Sequence, residues 1–162
     1  MKILRFIGSG LAAVVILGIV VYFGARCGDG PLAMIPGGPI ASGEWVEAPV
    51  TDWSFVTDVQ EIEFQLEQDS ISRTVWILFA DGRAFIPASL SFPPGKDWYH
   101  RAQDDGRSVI RIGGKRYPVT LRRVDDDATK KAVIDAVAAK YAPPPGSGEG
   151  NVLFFEVSSR PR

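Results

Sequence analysis

The chain has 162 residues, 46% of them hydrophobic, enough for one globular domain with a real core and too little for two. Eighteen basic residues against nineteen acidic ones give a formal charge of -1, without the excess of positive charge that phosphate-backbone binding needs, so no nucleic-acid partner is expected. The single cysteine, Cys27, excludes an internal disulfide, and the single histidine, His100, has no second imidazole or Gly-x-Ser-x-Gly elbow beside it, which sets aside a zinc site or a hydrolytic triad.

Residues 6–25, "FIGSGLAAVVILGIVVYFGA", open with Phe6, close with Ala25 and contain no charge. At about 1.5 Å per residue, such a helix covers a hydrocarbon core of about 30 Å. The run is longer than the apolar region of a cleavable signal and lacks a good small-x-small exit, so residues 1–26 are expected to form one transmembrane helix that touches membrane lipid. Lys2 and Arg5 precede it, whereas Arg26 is the last basic residue before Arg73. The positive-inside bias then puts the N-terminus in the cytoplasm and the rest of this single-pass membrane protein outside it. Cys27 follows Arg26 in "FGARC", which departs from the small residues that lead into a lipid-modified cysteine.

Residues 27–57 are rich in proline and glycine and carry neither helical nor strand period. They read as a linker or as a segment docked on the domain, and Trp45 and Trp53 favour docking because exposed tryptophan is costly. The domain itself is assigned to residues 58–162. "DVQEIEFQLE" alternates as a half-buried strand. "RTVWILFADGRAFIPASL" places Asp81-Gly82 between two apolar runs, a hairpin signal, and "SVIRIGGKRYPVTLRRV" repeats the device around Gly113-Gly114. "GKDWYHRAQDDG" between the hairpins suits a short helix, and "DDDATKKAVIDAVAAKY" after them is the clearest helix of the domain. "GSGEG", residues 146–150, reads as a flexible connector, and "NVLFFEVSSR" supplies a last strand.

The fold expected is therefore mainly β: a closed or split six-stranded β-barrel with peripheral helices, preceded by the transmembrane helix. Its predicted core draws on Ile62, Phe64, Val75, Ile77, Phe79, Phe85, Val109, Ile112, Leu121 and Phe155.

"TVWILFADGRAFI", "KDWYHRAQDDGRSVIRIGGKRYPVTLRRVDD" and "LFFEVSSRPR" together resemble the FMN-binding split-barrel proteins, the pyridoxamine phosphate oxidase-like and deazaflavin-dependent nitroreductase-like group. The resemblance implies a barrel that dimerises and holds FMN or a deazaflavin by its phosphate, on basic and hydroxyl side chains near the end of the third strand. In this sequence those positions are Ser89, Ser91 and Lys96, with Arg73 on the preceding strand and Trp98 flanking. A phosphate wants a positive charge and several donors at one spot, which that set offers. Two readings stay open: a membrane-anchored, flavin-type oxidoreductase, in which no catalytic side chain is assigned, and a cofactor-free barrel acting outside the cytoplasm as an interaction or small-ligand module. Under the second, Ser89, Ser91 and Lys96 are a solvated strand exit.

Overall fold

The computed structural model describes residues 2–91, 93–141 and 151–162, with side chains in the first helix described at Leu11 and from Val14 onward. Helix α1 is Lys2–Cys27. The strands are β1 Glu44–Trp45, β2 Glu61–Leu66, β3 Arg73–Trp76, β4 Leu78–Ala80, β5 Arg83–Ser89, β6 Arg107–Ile112, β7 Lys115–Arg123 and β8 Val152–Ser159. Helix α2, Trp98–Asp104, lies between β5 and β6, and α3, Asp127–Tyr141, follows β7. The proposed connector at 146–150 lies outside the described residues.

Seven strands run in the order β3-β2-β6-β7-β8-β5-β4, and β1 pairs with β7 from the side. Both ends of this path belong to one stretch of chain, because β3 and β4 are separated only by Ile77. The sheet is thus a nearly closed barrel. The expected six strands become seven because the first arm of the first hairpin breaks there: Trp76 pairs with Glu61 on β2, whereas Leu78 pairs with Phe85 on β5. One strand cannot follow two diverging neighbours, so the chain changes partner. The carbonyl of Ile77, released from the ladder, accepts from Lys140 Nζ at 2.9 Å and from the Tyr141 hydroxyl at 3.0 Å. Tyr141 also stacks on Trp76 at 4.1 Å. The end of α3 therefore seals the break, satisfying a group that would otherwise be costly to leave unpaired.

Both expected hairpins form. Asp81 and Gly82 have φ of 48° and 75°, and Gly113 and Gly114 have 56° and 77°, the positive values a tight two-residue turn requires. Helix α3 starts where Asp126 accepts the backbone N–H of Thr129 at 2.8 Å.

The barrel interior is filled by Phe64, Ile86, Ile110, Val119 and Phe155, all fully buried, with Ile62, Ile77 and Leu121. A second cluster, Leu78, Phe85, Val124, Val133 and Phe154, joins the outer face of the sheet to α3. This double burial explains why Ala84, Phe85 and Ile86 are buried in succession on β5. On β6 the inward positions are Ser108 and Ile110, so Val109, expected in the core, lies on the other face and is only half-buried. Val75, Phe79 and Ile112 are half-buried and pack against the main cluster.

Residues 27–57 dock rather than dangle. Glu44 and Val46 N–H donate to Gly114 and Arg116 carbonyls, and Gly37 exchanges backbone hydrogen bonds with Ser72 at 3.0 and 3.2 Å. Arg111 reaches out to Asp29 at 2.8 Å. Trp45 is held between the guanidinium groups of Arg116 and Arg162, and Trp53 and Val56 enter the core.

Helix α1 exposes Leu11, Val14, Ile16, Leu17, Ile19, Val20 and Phe23. Within the described residues no helix is long and apolar enough to cross a membrane. The apolar run of α1 begins at Phe6, before its first described side chain. Its last turn is tied to the segment that follows it: Ala25 is buried, and its carbonyl accepts the N–H groups of Gly28 and Gly38, each at 3.1 Å.

Candidate functional site

Beyond Ile77 the hairpin of β4 and β5 opens, since β3 turns away to pair with β2. The chain leaving β5 at Ser89 leads to α2, whose first residue, Trp98, plugs the barrel. Trp98 is buried, with ring centroids 5.0 Å from Phe64 and 5.5 Å from Phe155. Arg73, at the start of β3, lies over this plug, its guanidinium carbon 5.7 Å from the Trp98 ring and 5.9 Å from Phe64.

Around Arg73 the charges are unequal. Asp69, whose side chain is only 10% exposed, pairs with Arg73 at 3.6 Å and with Arg101 at 3.0 Å. Arg101 also pairs with Asp97 at 2.6 Å, one helical turn earlier. Arg26, from the last turn of α1, is close enough to act on Arg73 electrostatically. Burial is the main cause that pulls the Arg73 pKa down to about 10; Asp69 opposes it, and the like charges of Arg101 and Arg26 add to it. Three guanidinium groups thus meet two carboxylates. Arg73 Nη1, Arg101 Nε and Arg26 Nε are buried without a hydrogen-bond partner among the described residues. Buried donors of this kind are costly, and an anion would satisfy them.

The five residues expected at a phosphate site fall into distinct groups. Arg73 and Trp98 meet at the plug. Trp98 is occupied by Phe64, Phe155 and Arg73, so it serves the core instead of offering an open ring face to a planar ligand. Ser89 and Ser91 form a hydroxyl pair at 3.3 Å at the end of β5. Lys96 is half-buried two residues before Trp98, and burial lowers its pKa. Sequence reasoning missed Arg26, Asp69 and Arg101 as members of the cluster. The spacing of Asp97 and Arg101 at i and i+4 on a short helix was the one signal within reach.

No curated protein matches this chain. Among solved structures, the chain is similar to one from Listeria innocua provisionally named a pyridoxamine 5'-phosphate oxidase, with 11% identity, a TM-score of 0.48, and coverage of 62% of this chain and 84% of that one. It is also similar to a provisionally named general stress protein 26 from Jannaschia sp. CCS1, with 13% identity, a TM-score of 0.49 and coverage of 67% and 71%. A chain described as a domain-swapped dimer matches with 19% identity, a TM-score of 0.48 and coverage of 69% and 90%. At these values the likeness carries no argument about activity. The family model that matches covers residues 55–150, from the turn before β2 to the residue before Asn151, and over that span the chain belongs to DUF2255, described as an uncharacterized protein conserved in bacteria.

Proposed function

We propose that this protein is a membrane-anchored split barrel that holds a flavin-type cofactor, FMN or a deazaflavin, by its phosphate at the opening between β3 and β5, and serves as an oxidoreductase. The observation that carries the reading is the buried guanidinium of Arg73, with Nη1 unpartnered among the described residues and Arg101 beside it in the same condition. A phosphate monoester supplies the charge and the acceptors that these donors lack. Arg73 and Arg101 are the residues to hold it, joined in this reading by the hydroxyl pair Ser89 and Ser91 at the end of β5 and by Lys96. When bound, the flavin ring supplies the electron-pair transfer, and the protein contributes position and field.

Helix α1 is the anchor in this reading, with the N-terminus cytoplasmic and the barrel outside; the exposed apolar side chains from Leu11 to Phe23 support it. Pairing of two chains belongs to the same reading and is supported by the exposure of Phe55, Trp76 and Leu90. One observation favours the alternative, a cofactor-free interaction or small-ligand module: the interior is filled by side chains and Trp98 closes the end of it. Titration of FMN and of a deazaflavin into the purified full chain, followed by flavin fluorescence, separates the two. Arg73→Gln should weaken binding by about 1.5–3 kcal/mol, roughly ten- to a hundredfold. Wild-type protein that leaves the fluorescence of both cofactors unchanged would establish the cofactor-free reading.

A further inference from the structure

We infer that the foot of α1 is a headgroup site: the groove bounded by Tyr22, Phe23, Arg26, Gly37, Ser70 and Ile71 takes the phosphate of an anionic phospholipid, with Arg26 as its cation. The inference rests on the reading of α1 as a bilayer helix and goes beyond the cofactor site. Arg26 Nη2 donates to the Tyr22 hydroxyl at 3.0 Å, and its guanidinium carbon lies 5.4 Å from that ring, so the side chain is steered along the helix. No carboxylate lies within ion-pair distance of Arg26 among the described residues, whereas Asp69 serves Arg73 and Arg101. The helix terminus favours a cation here, yet the dipole leaves Nε without a partner, and the Ala25 carbonyl is already served by Gly28 and Gly38.

The groove joins this charge to apolar surface. Phe23 lines it at 63% exposure, and Ile19 and Val20 lie exposed on the same helix just before it. A ligand that fits has an anionic phosphate at Arg26 and acyl chains along α1. An anionic phospholipid has that form, and the bilayer around α1 supplies it at high local concentration. A soluble phosphate offers the same headgroup chemistry without the chains, which is what the competing arm below tests.

The test is native mass spectrometry of the full chain released from nanodiscs of phosphatidylcholine with a minority of phosphatidylglycerol. Wild type should retain a phosphatidylglycerol adduct. Arg26→Gln should lower its retention about fivefold, the weight of one basic side chain at an anionic surface. Arg26→Lys should restore most of it, and Arg122→Gln, an exposed charge elsewhere, should leave it unchanged. Should Arg26→Gln fail to fold, Ser70→Trp fills the groove from an exposed position and should also eject the lipid. Equal retention in wild type and the groove variants overturns the inference, as does displacement of the lipid by inorganic phosphate or FMN at equal concentration. A chain recovered without membranes refutes the anchor, and the headgroup site with it. A membrane-bound chain without adduct refutes the headgroup site alone and leaves the cofactor titration to be judged by its own fluorescence.

Discussion

Lys140→Met should open the barrel at its break. Lys140 Nζ donates to the carbonyls of Val56 at 3.1 Å, Val59 at 2.6 Å and Ile77 at 2.9 Å. Methionine keeps the stem and removes the donors. The Ile77 carbonyl keeps Tyr141, and that of Val56 keeps the N–H of Val59, so Val59 O is the acceptor left with no other donor among the described residues. One stranded acceptor costs about 1–3 kcal/mol, and the two weakened sites add less, while removal of a partly desolvated ammonium returns some of the sum. The net loss is about 2 kcal/mol, or a fall in Tm of roughly 5–10 °C for a domain of this size. Thermal melts followed by far-UV circular dichroism measure it, and hydrogen exchange at Ile77 and Leu78 should rise in the same variant. A change under about 0.5 kcal/mol, the range of an ordinary surface substitution, would show that α3 does not hold the break.

Alkaline pH should act on the same joint through Tyr141, whose hydroxyl burial raises its pKa from 10.0 to about 12. A pKa raised in the folded state gives stability that is complete below the unfolded value near 10 and is lost as pH climbs from there towards 12. Urea midpoints measured through that window should fall in wild type and fall less in Tyr141→Phe; parallel curves would refute the assignment. Asp69→Asn removes the carboxylate shared by Arg73 and Arg101, and should cost about 2–4 kcal/mol in a urea melt while tightening the binding of FMN, since more positive charge is left uncompensated. Loss of stability with no gain in FMN affinity would mean that the cluster is structural only.

The two hairpins were legible because Asp81-Gly82 and Gly113-Gly114 are local chemistry: the backbone needs positive φ there and these residues allow it. The break at Ile77 was not, because "TVWILFA" is one continuous apolar run and the change of partner is decided by Glu61 and Phe85, distant in sequence on opposite sides. The face of β6 was misread at Val109 for a related reason. Val109 and Ile110 are neighbours on the strand, so only one of them can face inward, and the pairing of Ile110 with Phe64 and Tyr117 decides which. The site was half legible. Arg73 could be suspected from its place before a strand, but its companions at 26, 69, 97 and 101 are joined only by the fold.

The pinning of residues 28–46 changes what the first helix can do. A free proline-glycine linker would let the domain explore a hemisphere and meet its partners in any pose. Here the stretch between Cys27 and Val46 is tied to the helix at Ala25 and to the barrel at Ser72, Gly114 and Arg116, which shortens the chain free to act as a swivel. Under the proposed placement of α1 in a bilayer, the opening between β3 and β5 would be held near one height and tilt above the lipid plane. Encounters with partners in the same membrane then become a search over two dimensions and one rotation, and a twist of the helix reaches the arginine cluster as a torque, with less slack chain to damp it.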